Sequence, residues 1–306
     1  MRMKEFLGID CVEISCGYFS ILASQSVGPR ILSLSYKGSE NLFAELPGEG
    51  LDHPGGEKFY FYGGHRFWLG PENPSITYLP DSKPINIKHS NNSWELIQEA
   101  DDITGVAKYI QIKPTEVDDV IIVDHILYNS SDMPVNYAPW AITQLKLGGQ
   151  VIIPQQIREN HKNILLPDRL ITLWPYSDIH DPRVTWGNQF IFIDTGPIDN
   201  AIKIGVMNDE KWMAYFIKGL LFIKYADYYQ LEHLIDKGAS SECYCNSKFV
   251  ELETLGPLTT LRPLESLQHR EVWRIVEKPF ERLNAESMLD FISQDNLTNF
   301  CLDLLA

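Results

Sequence analysis

Positive charge is what this chain has least of: 26 Lys and Arg stand against 41 Asp and Glu over 306 residues, a formal charge of −15 at pH 7. A field of that sign repels a phosphate backbone and an anionic bilayer, which argues against nucleic-acid and membrane partners. A neutral or locally cation-paired ligand remains open. Cysteine is sparse as well. Cys11, Cys16, Cys243, Cys245 and Cys301 form an odd, scattered set, so a reduced, cytoplasmic protein is expected instead of a disulfide framework. Cys243 and Cys245 have no second pair to complete a zinc tetrahedron, and their spacing fits two thiols on one strand face. Long apolar runs are missing too. The basic start Met1-Arg2-Met3-Lys4 is interrupted by Glu5, Asp10 and Glu13 and reads as mature chain. The most apolar later stretch, Trp212 to Ala226, carries Lys218 and Lys224 and is too short to span a bilayer. A soluble protein is expected.

Several chemical motifs are absent. No Gly-rich phosphate loop joins a strand to a helix, no His-Glu-x-x-His pair occurs, and there is no Gly-x-Ser-x-Gly elbow. No cofactor and no metal are therefore expected. His53, His89, His125, His161, His180, His233 and His269 lack ligand spacing and read as packed or surface residues. Repeats, low-complexity tracts and Gly/Ser linkers are lacking, and 44% apolar against 22% charged residues is an ordinary globular balance. One domain over residues 1–306 is expected, since large β-folds reach this length undivided.

What the chain does have is alternation. Tyr18 to Ala23, Trp94 to Ile97, Val120 to Leu127, Gln189 to Ile193, Ile202 to Val206, Met213 to Ile217 and Leu220 to Tyr225 are rich in β-branched and aromatic residues. Polar or Gly-bearing breaks separate them, and Lys218-Gly219 between two apolar runs predicts a tight hairpin. The pattern predicts an all-β fold, a large antiparallel β-sandwich. Residues 279–306 depart from it. Leu283, Met288, Leu289, Phe291, Ile292, Leu297, Phe300 and Leu304 recur at helical spacing from Phe280 onward, with a break near Gln294-Asp295-Asn296. Two short C-terminal helices covering a sheet face or edge are expected.

Four clusters carry candidate chemistry. In Phe59 to Glu72, two glycines precede His65, Arg66, Trp68 and Glu72. Aromatic faces suit the C–H patches of a sugar ring, and charged groups suit its hydroxyls; the competing reading is an aromatic core strand. In Phe249 to Pro257, alternation puts Glu251 and Glu253 on one face and Val250, Leu252 and Thr254 on the other. An inward carboxylate needs a partner or a raised pKa, so at least one of the two is a candidate base; a solvent-facing pair competes evenly. Leu173 to Gly187 offers Trp174, Tyr176 and Asp178 as a pocket rim, or a structural plug in which Asp181 pairs with Arg183. In Asn136 to Leu145, Trp140 is either a stacking platform or a core residue.

The order of these features resembles the galactose-mutarotase-like (aldose 1-epimerase-like) superfamily. Val27-Gly28-Pro29-Arg30-Ile31-Leu32 resembles its early strand, and Tyr62-Gly63-Gly64-His65-Arg66 its Gly- and Arg-bearing sugar segment. Asn129-Ser130-Ser131-Asp132-Met133-Pro134 is similar to its central turn, Leu252-Glu253-Thr254 to its Leu-Glu-Thr strand, and Leu261-Arg262-Pro263 through Trp273 to its closing hairpin. The likeness covers roughly residues 5 to 275 and implies a supersandwich with a concave binding face. It implies Glu253 as the base that takes the anomeric proton. The family's acid histidines are replaced: the register from Leu145 puts Trp140 at one position, and His89 sits too close to Trp94 to fill the other.

Three readings follow. In the first, a sugar anomer is interconverted, with Glu253 as base and His65 or Arg66 acting on the ring oxygen. In the second, a carbohydrate-binding protein keeps the groove without the acid. In the third, a polysaccharide lyase or hydrolase uses Glu253 with Glu72 or Asp178. All three expect a small sugar or glycan partner, and all require Glu253 to project into a hollow shared with His65, Arg66 and indole rings.

Overall fold

The computed structural model describes residues 1–155, 165, 167–229, 231–277 and 282–306. Its alternating segments assemble into two antiparallel sheets. The twelve-stranded sheet runs, edge to edge, β1 (Arg2–Phe6), β2 (Ile9–Cys16), β3 (Phe19–Ser24), β4 (Arg30–Tyr36), β6 (Lys58–Gly70), β11 (Val135–Leu145), β20 (Val250–Leu255), β19 (Ser241–Cys245), β16 (Ile202–Val206) and β13 (Ile171–Leu173). To it are added β5 (Glu45–Asp52) on β6 and β21 (Thr259–Leu261) on β11. The ten-stranded sheet runs β14 (Val184–Trp186), β15 (Phe190–Asp194), β12 (Gln150–Pro154), β17 (Trp212–Ile217), β18 (Leu220–Ala226), β22 (Ser266–Glu277), β10 (Val120–Asn129), β9 (Val106–Pro114), β8 (Ser93–Gln98) and β7 (Asn86–Ser90).

The expected β-sandwich is present. Between the sheets lies a dry core in which Val12, Ile14 and Leu252 of one sheet meet Val123, Phe222 and Ile275 of the other. Burial of such apolar surface is the main force holding two sheet faces together. Cys243 and Cys245 share this face, and all five thiols are free and buried. The β17–β18 turn is the tight hairpin its sequence calls for: Ile217 pairs with Leu220, and Lys218 and Gly219 both take positive φ, 48° and 77°. Such a turn matches the twist of its strands.

After the one-turn α1 (Pro74–Thr77), helices α2 (Ala285–Gln294) and α3 (Leu297–Asp303) break at Asp295, as the spacing predicts. Leu283, Met288, Cys301 and Leu305 cover the outer face of the ten-stranded sheet against Trp212, Phe216, Leu221 and Tyr225. Asn284 starts α2 by accepting the Ser287 N–H, while the Ser287 hydroxyl accepts that of Asn284, a reciprocal cap. Arg274 forks onto Asp295 at the helix break with two 2.6 Å bonds. No helix among the described residues is long and apolar enough to cross a membrane. Phe280 and His161 lie outside the described residues.

Candidate functional site

Strand β6 changes partner midway, pairing with β5 in its first half and with β4 and β11 in its second. The chain turns at Tyr62, Gly63 and Gly64, three consecutive residues with positive φ (56°, 91° and 73°). A Cβ on Gly63 would lie 1.9 Å from the Ala44 carbonyl oxygen, and one on Gly64 would lie 2.1 Å from that of Ile31. Only glycine fits there. Past the bend, alternation sends Phe67 and Leu69 into the inter-sheet core and turns Arg66 and Trp68 to the opposite face.

Register then assembles a cleft on that face. One row of paired residues reads Gly64, Gln144, Glu251, Tyr244 and Lys203; the next reads Arg66, Ile142, Glu253, Glu242 and Gly205. Trp68 pairs with Trp140 one step further on. With Trp174, Tyr176 and Phe61 above them, Arg66, Trp68, Trp140, Lys203, Tyr244 and Glu251 from these rows line a hollow of about 570 Å³, within the range of roughly 300–1,000 Å³ usual for small-molecule sites. The rings form one wall, in which Trp68 and Trp140 meet edge to face at 5.3 Å and the Arg66 guanidinium lies 4.1 Å over Trp68.

Glu251 and Glu253 share this face, as alternation predicts, but they differ in access. Glu253 is fully buried and does not line the cleft, so the expectation that it projects into the hollow is corrected. Its Oε2 accepts from Trp140 Nε1 at 2.7 Å and Lys203 Nζ at 3.0 Å, so indole and ammonium together seal it beneath the floor. Lys203 also meets Glu242 at 2.6 Å and lies under the rings of Trp140 and Trp174. Burial disfavours its charge, but the two carboxylates override that and hold the ammonium well above its ordinary pKa. Glu251 is 8% exposed and lines the cleft. Its Oε1 accepts from Arg66 Nη2 at 2.8 Å and Gln144 Nε2 at 2.9 Å. Burial, reinforced by the Glu253 charge against the pull of Arg66, raises its carboxyl to about 7. Arg66 Nε and Nη1 are buried with no partner among the described residues.

His65 is not in the cleft. It alternates away from Arg66 and is fully buried between the sheets, so the expectation that it shares a hollow with Glu253 is corrected. Its setting admits one proton assignment. Lys224 Nζ donates to Thr143 Oγ1, which donates to His65 Nδ1; His65 Nε2–H donates to His125 Nε2 at 2.7 Å; His125 Nδ1–H donates to the His269 carbonyl. Burial keeps all three rings neutral, with His269 lowered to about 3. Lys224 balances Glu271 at 2.8 Å, both fully buried, and Trp273 Nε1 donates to that carboxylate at 2.6 Å. Among the described residues, His65, His125 and Glu271 alone have ligand atoms close enough together for a metal ion, within 4.8 Å. Those atoms are already committed to one another, to Lys224 and to Trp273.

The remaining expected residues divide. Arg66, Trp68, Glu72, Trp140, Trp174 and Tyr176 line the cleft. Trp140 is both core residue and floor, 2% exposed. Asp178 does not line it; exposed, it accepts the His180 N–H within its own loop. The same loop is rim and plug together, since Arg183 grips Asp181 with two bonds beneath it. His89 stacks on Trp94 in the other sheet. Lys203 and Tyr244 were missed. The signal for Lys203 was a lysine inside an otherwise apolar strand, Ile202-Lys203-Ile204. A larger hollow of about 880 Å³ beside Phe190 and Asn284 lacks such convergence among the described residues, and its one charged group among them, Arg282, is tied to Asp194 at 2.7 Å.

Solved structures of the same architecture exist. A candidate aldose 1-epimerase from Klebsiella pneumoniae superposes with a TM-score of 0.57 at 13% identity, over 94% of this chain and 85% of that one. A galactose mutarotase-like protein from Lactobacillus casei gives 0.54 at 9%, over 87% and 100%. A candidate aldose 1-epimerase from Escherichia coli gives 0.52 at 13%, over 87% and 99%. The fold is that of galactose mutarotase-like proteins. At these identities the likeness speaks for architecture alone. No family model matches the sequence, and no curated protein matches it.

Proposed function

We propose that the cleft binds a sugar ring. The observation that carries this reading is the Arg66–Glu251 pair. Glu251 commits Oε1 to the protein, and among the described residues its Oε2 has no partner and two buried donor nitrogens of Arg66, Nε and Nη1, have none either. An acceptor beside a donor is what an alcohol needs, because a hydroxyl gives one hydrogen bond and takes others. Unpaired buried donors are costly, so a ligand that satisfies them gains affinity. Indole faces beside the pair cover the apolar side of a ring. Saturation-transfer NMR with a panel of aldoses and short glycans tests the reading: transfer to ring protons that disappears in R66M supports it, and no transfer from any member of the panel ends it.

A second reading, anomer interconversion, is favoured by the place of Glu251, which lines the cleft with only Oε1 bonded, while burial raises its carboxyl to about 7, where proton exchange at neutral pH is efficient. Glu251 would take the C1 hydroxyl proton as the C1–O5 bond breaks, and the ring oxygen, held by an Arg66 N–H, would gain a proton from water. After rotation about C1–C2 the O5 hydroxyl attacks C1 and returns its proton to the hydroxide left behind, while O1 takes its proton back from Glu251, which gives the other anomer. Glu253, the base that the family resemblance implies, could act only after Trp140 and Lys203 moved aside. Polarimetry separates the options: acceleration removed by E251Q but kept by E253Q supports Glu251, and no acceleration leaves binding alone.

A further inference from the structure

The sugar reading leaves open which sugars enter, and the charges lining the cleft bear on that. Among the described residues three cations face it, and each is already matched: Arg66 by Glu251 at 2.8 Å, Lys203 by Glu253 at 3.0 Å and Glu242 at 2.6 Å, and Lys248 by Glu49 at 2.7 Å. Two further lining carboxylates, Glu72 and Asp199, have no ion pair among the described residues; Glu72 accepts only the Tyr78 hydroxyl. Beneath the floor, Glu253 and Glu242 share the single ammonium of Lys203. Burial pushes the Glu242 carboxyl well above its ordinary range, so the unpaired negative charge lies at the lining, on Glu72 and Asp199.

We propose that the cleft admits uncharged and amine-bearing sugars and rejects phosphorylated or carboxylated ones. This rests on the sugar reading and narrows it. An anionic group could gain a cation only by drawing Lys248 from Glu49 at the exposed rim, where a pair returns little, or Arg66 from Glu251 inside, which would leave Glu251 beside Glu253 without its cation or make it take up a proton. Stripping a buried charge of its partner costs far more than a surface pair returns. The unpartnered Arg66 Nε and Nη1 do not require an anion, since a hydroxyl or ring oxygen satisfies both at no cost in charge. An ammonium on the ring meets the reverse situation. Glu72 and Asp199 attract it, and the faces of Trp174 and Tyr176 stabilise a cation that passes over them.

Calorimetric titration of the full chain with glucose, glucosamine, glucose 6-phosphate and glucuronate tests this. Glucosamine should bind at least as tightly as glucose, and the two anions at least about tenfold more weakly, with the gap widening as salt is lowered. The variant E72K/D199K should narrow the gap by raising affinity for glucuronate relative to glucose, and an unchanged ratio of the two would count against the proposal. If either anion binds as tightly as glucose, the charge proposal falls and the sugar reading stands. If none of the four binds, and no aldose gives saturation transfer, both fall together.

Discussion

Glu251 and Glu253 are two residues apart on one strand face, yet one meets the cleft and the other lies under it. The difference comes from their neighbours: Trp140 and Lys203 close over Glu253, while Arg66 and Gln144 both donate to the same oxygen of Glu251, Oε1. The pair itself could be read from alternation. Which member is covered could not, because the covering groups come from strands more than a hundred and about fifty positions upstream. His65 was legible in principle, since a period of two already separates it from Arg66 and Trp68. At this scale pH is the sharpest probe. A ligand hydroxyl that donates to Glu251 favours the ionised form, and that form is lost as pH falls through about 7. Affinity should therefore weaken roughly tenfold between about pH 8 and pH 6, and E251Q should show a flat profile in the same calorimetric series. A flat wild-type profile would remove Glu251 from the binding contact.

Among the elements, β6 does the most to build the site, because its bend lets one strand serve both the β5 hairpin and the sheet centre. Gly64→Ala forces a Cβ against the Ile31 carbonyl at a left-handed φ. It should cost at least about 2 kcal/mol in denaturant unfolding and weaken ligand binding together with stability. At the other end of the chain, Asn284→Ala removes the cap of α2 and should cost about 1 kcal/mol with binding unchanged, since α2 packs on the ten-stranded sheet. Elements of this kind were well marked in the sequence. The strands, the Lys218-Gly219 hairpin and the break at Asp295 all have local causes in periodicity and turn chemistry. The two-row assembly of the cleft has none, because it depends on register between strands distant in the chain.

Taken whole, the molecule keeps two polar systems on opposite faces of one sheet. The cleft is partly open and carries excess negative charge; the inter-sheet network is sealed, neutral in its histidines and balanced at Lys224–Glu271. Lys224→Met leaves Glu271 buried without its cation and should cost about 3–5 kcal/mol, with much of that recovered in K224M/E271Q, as urea midpoints would report. Equal destabilisation by the single and the double variant would mean that Lys224 stabilises by packing and not by charge. No such change is expected to alter which sugars bind, because the network faces away from the cleft.

The central claim is that Arg66 and Glu251 jointly hold a ring hydroxyl, and a crystal structure with glucose or galactose soaked in tests it most directly. The account predicts a sugar ring against Trp68 and Trp140, with one hydroxyl about 3 Å from both Glu251 Oε2 and an Arg66 nitrogen. A sugar bound elsewhere on the molecule, or one in the cleft with Arg66 Nε and Nη1 still unpaired, would contradict it.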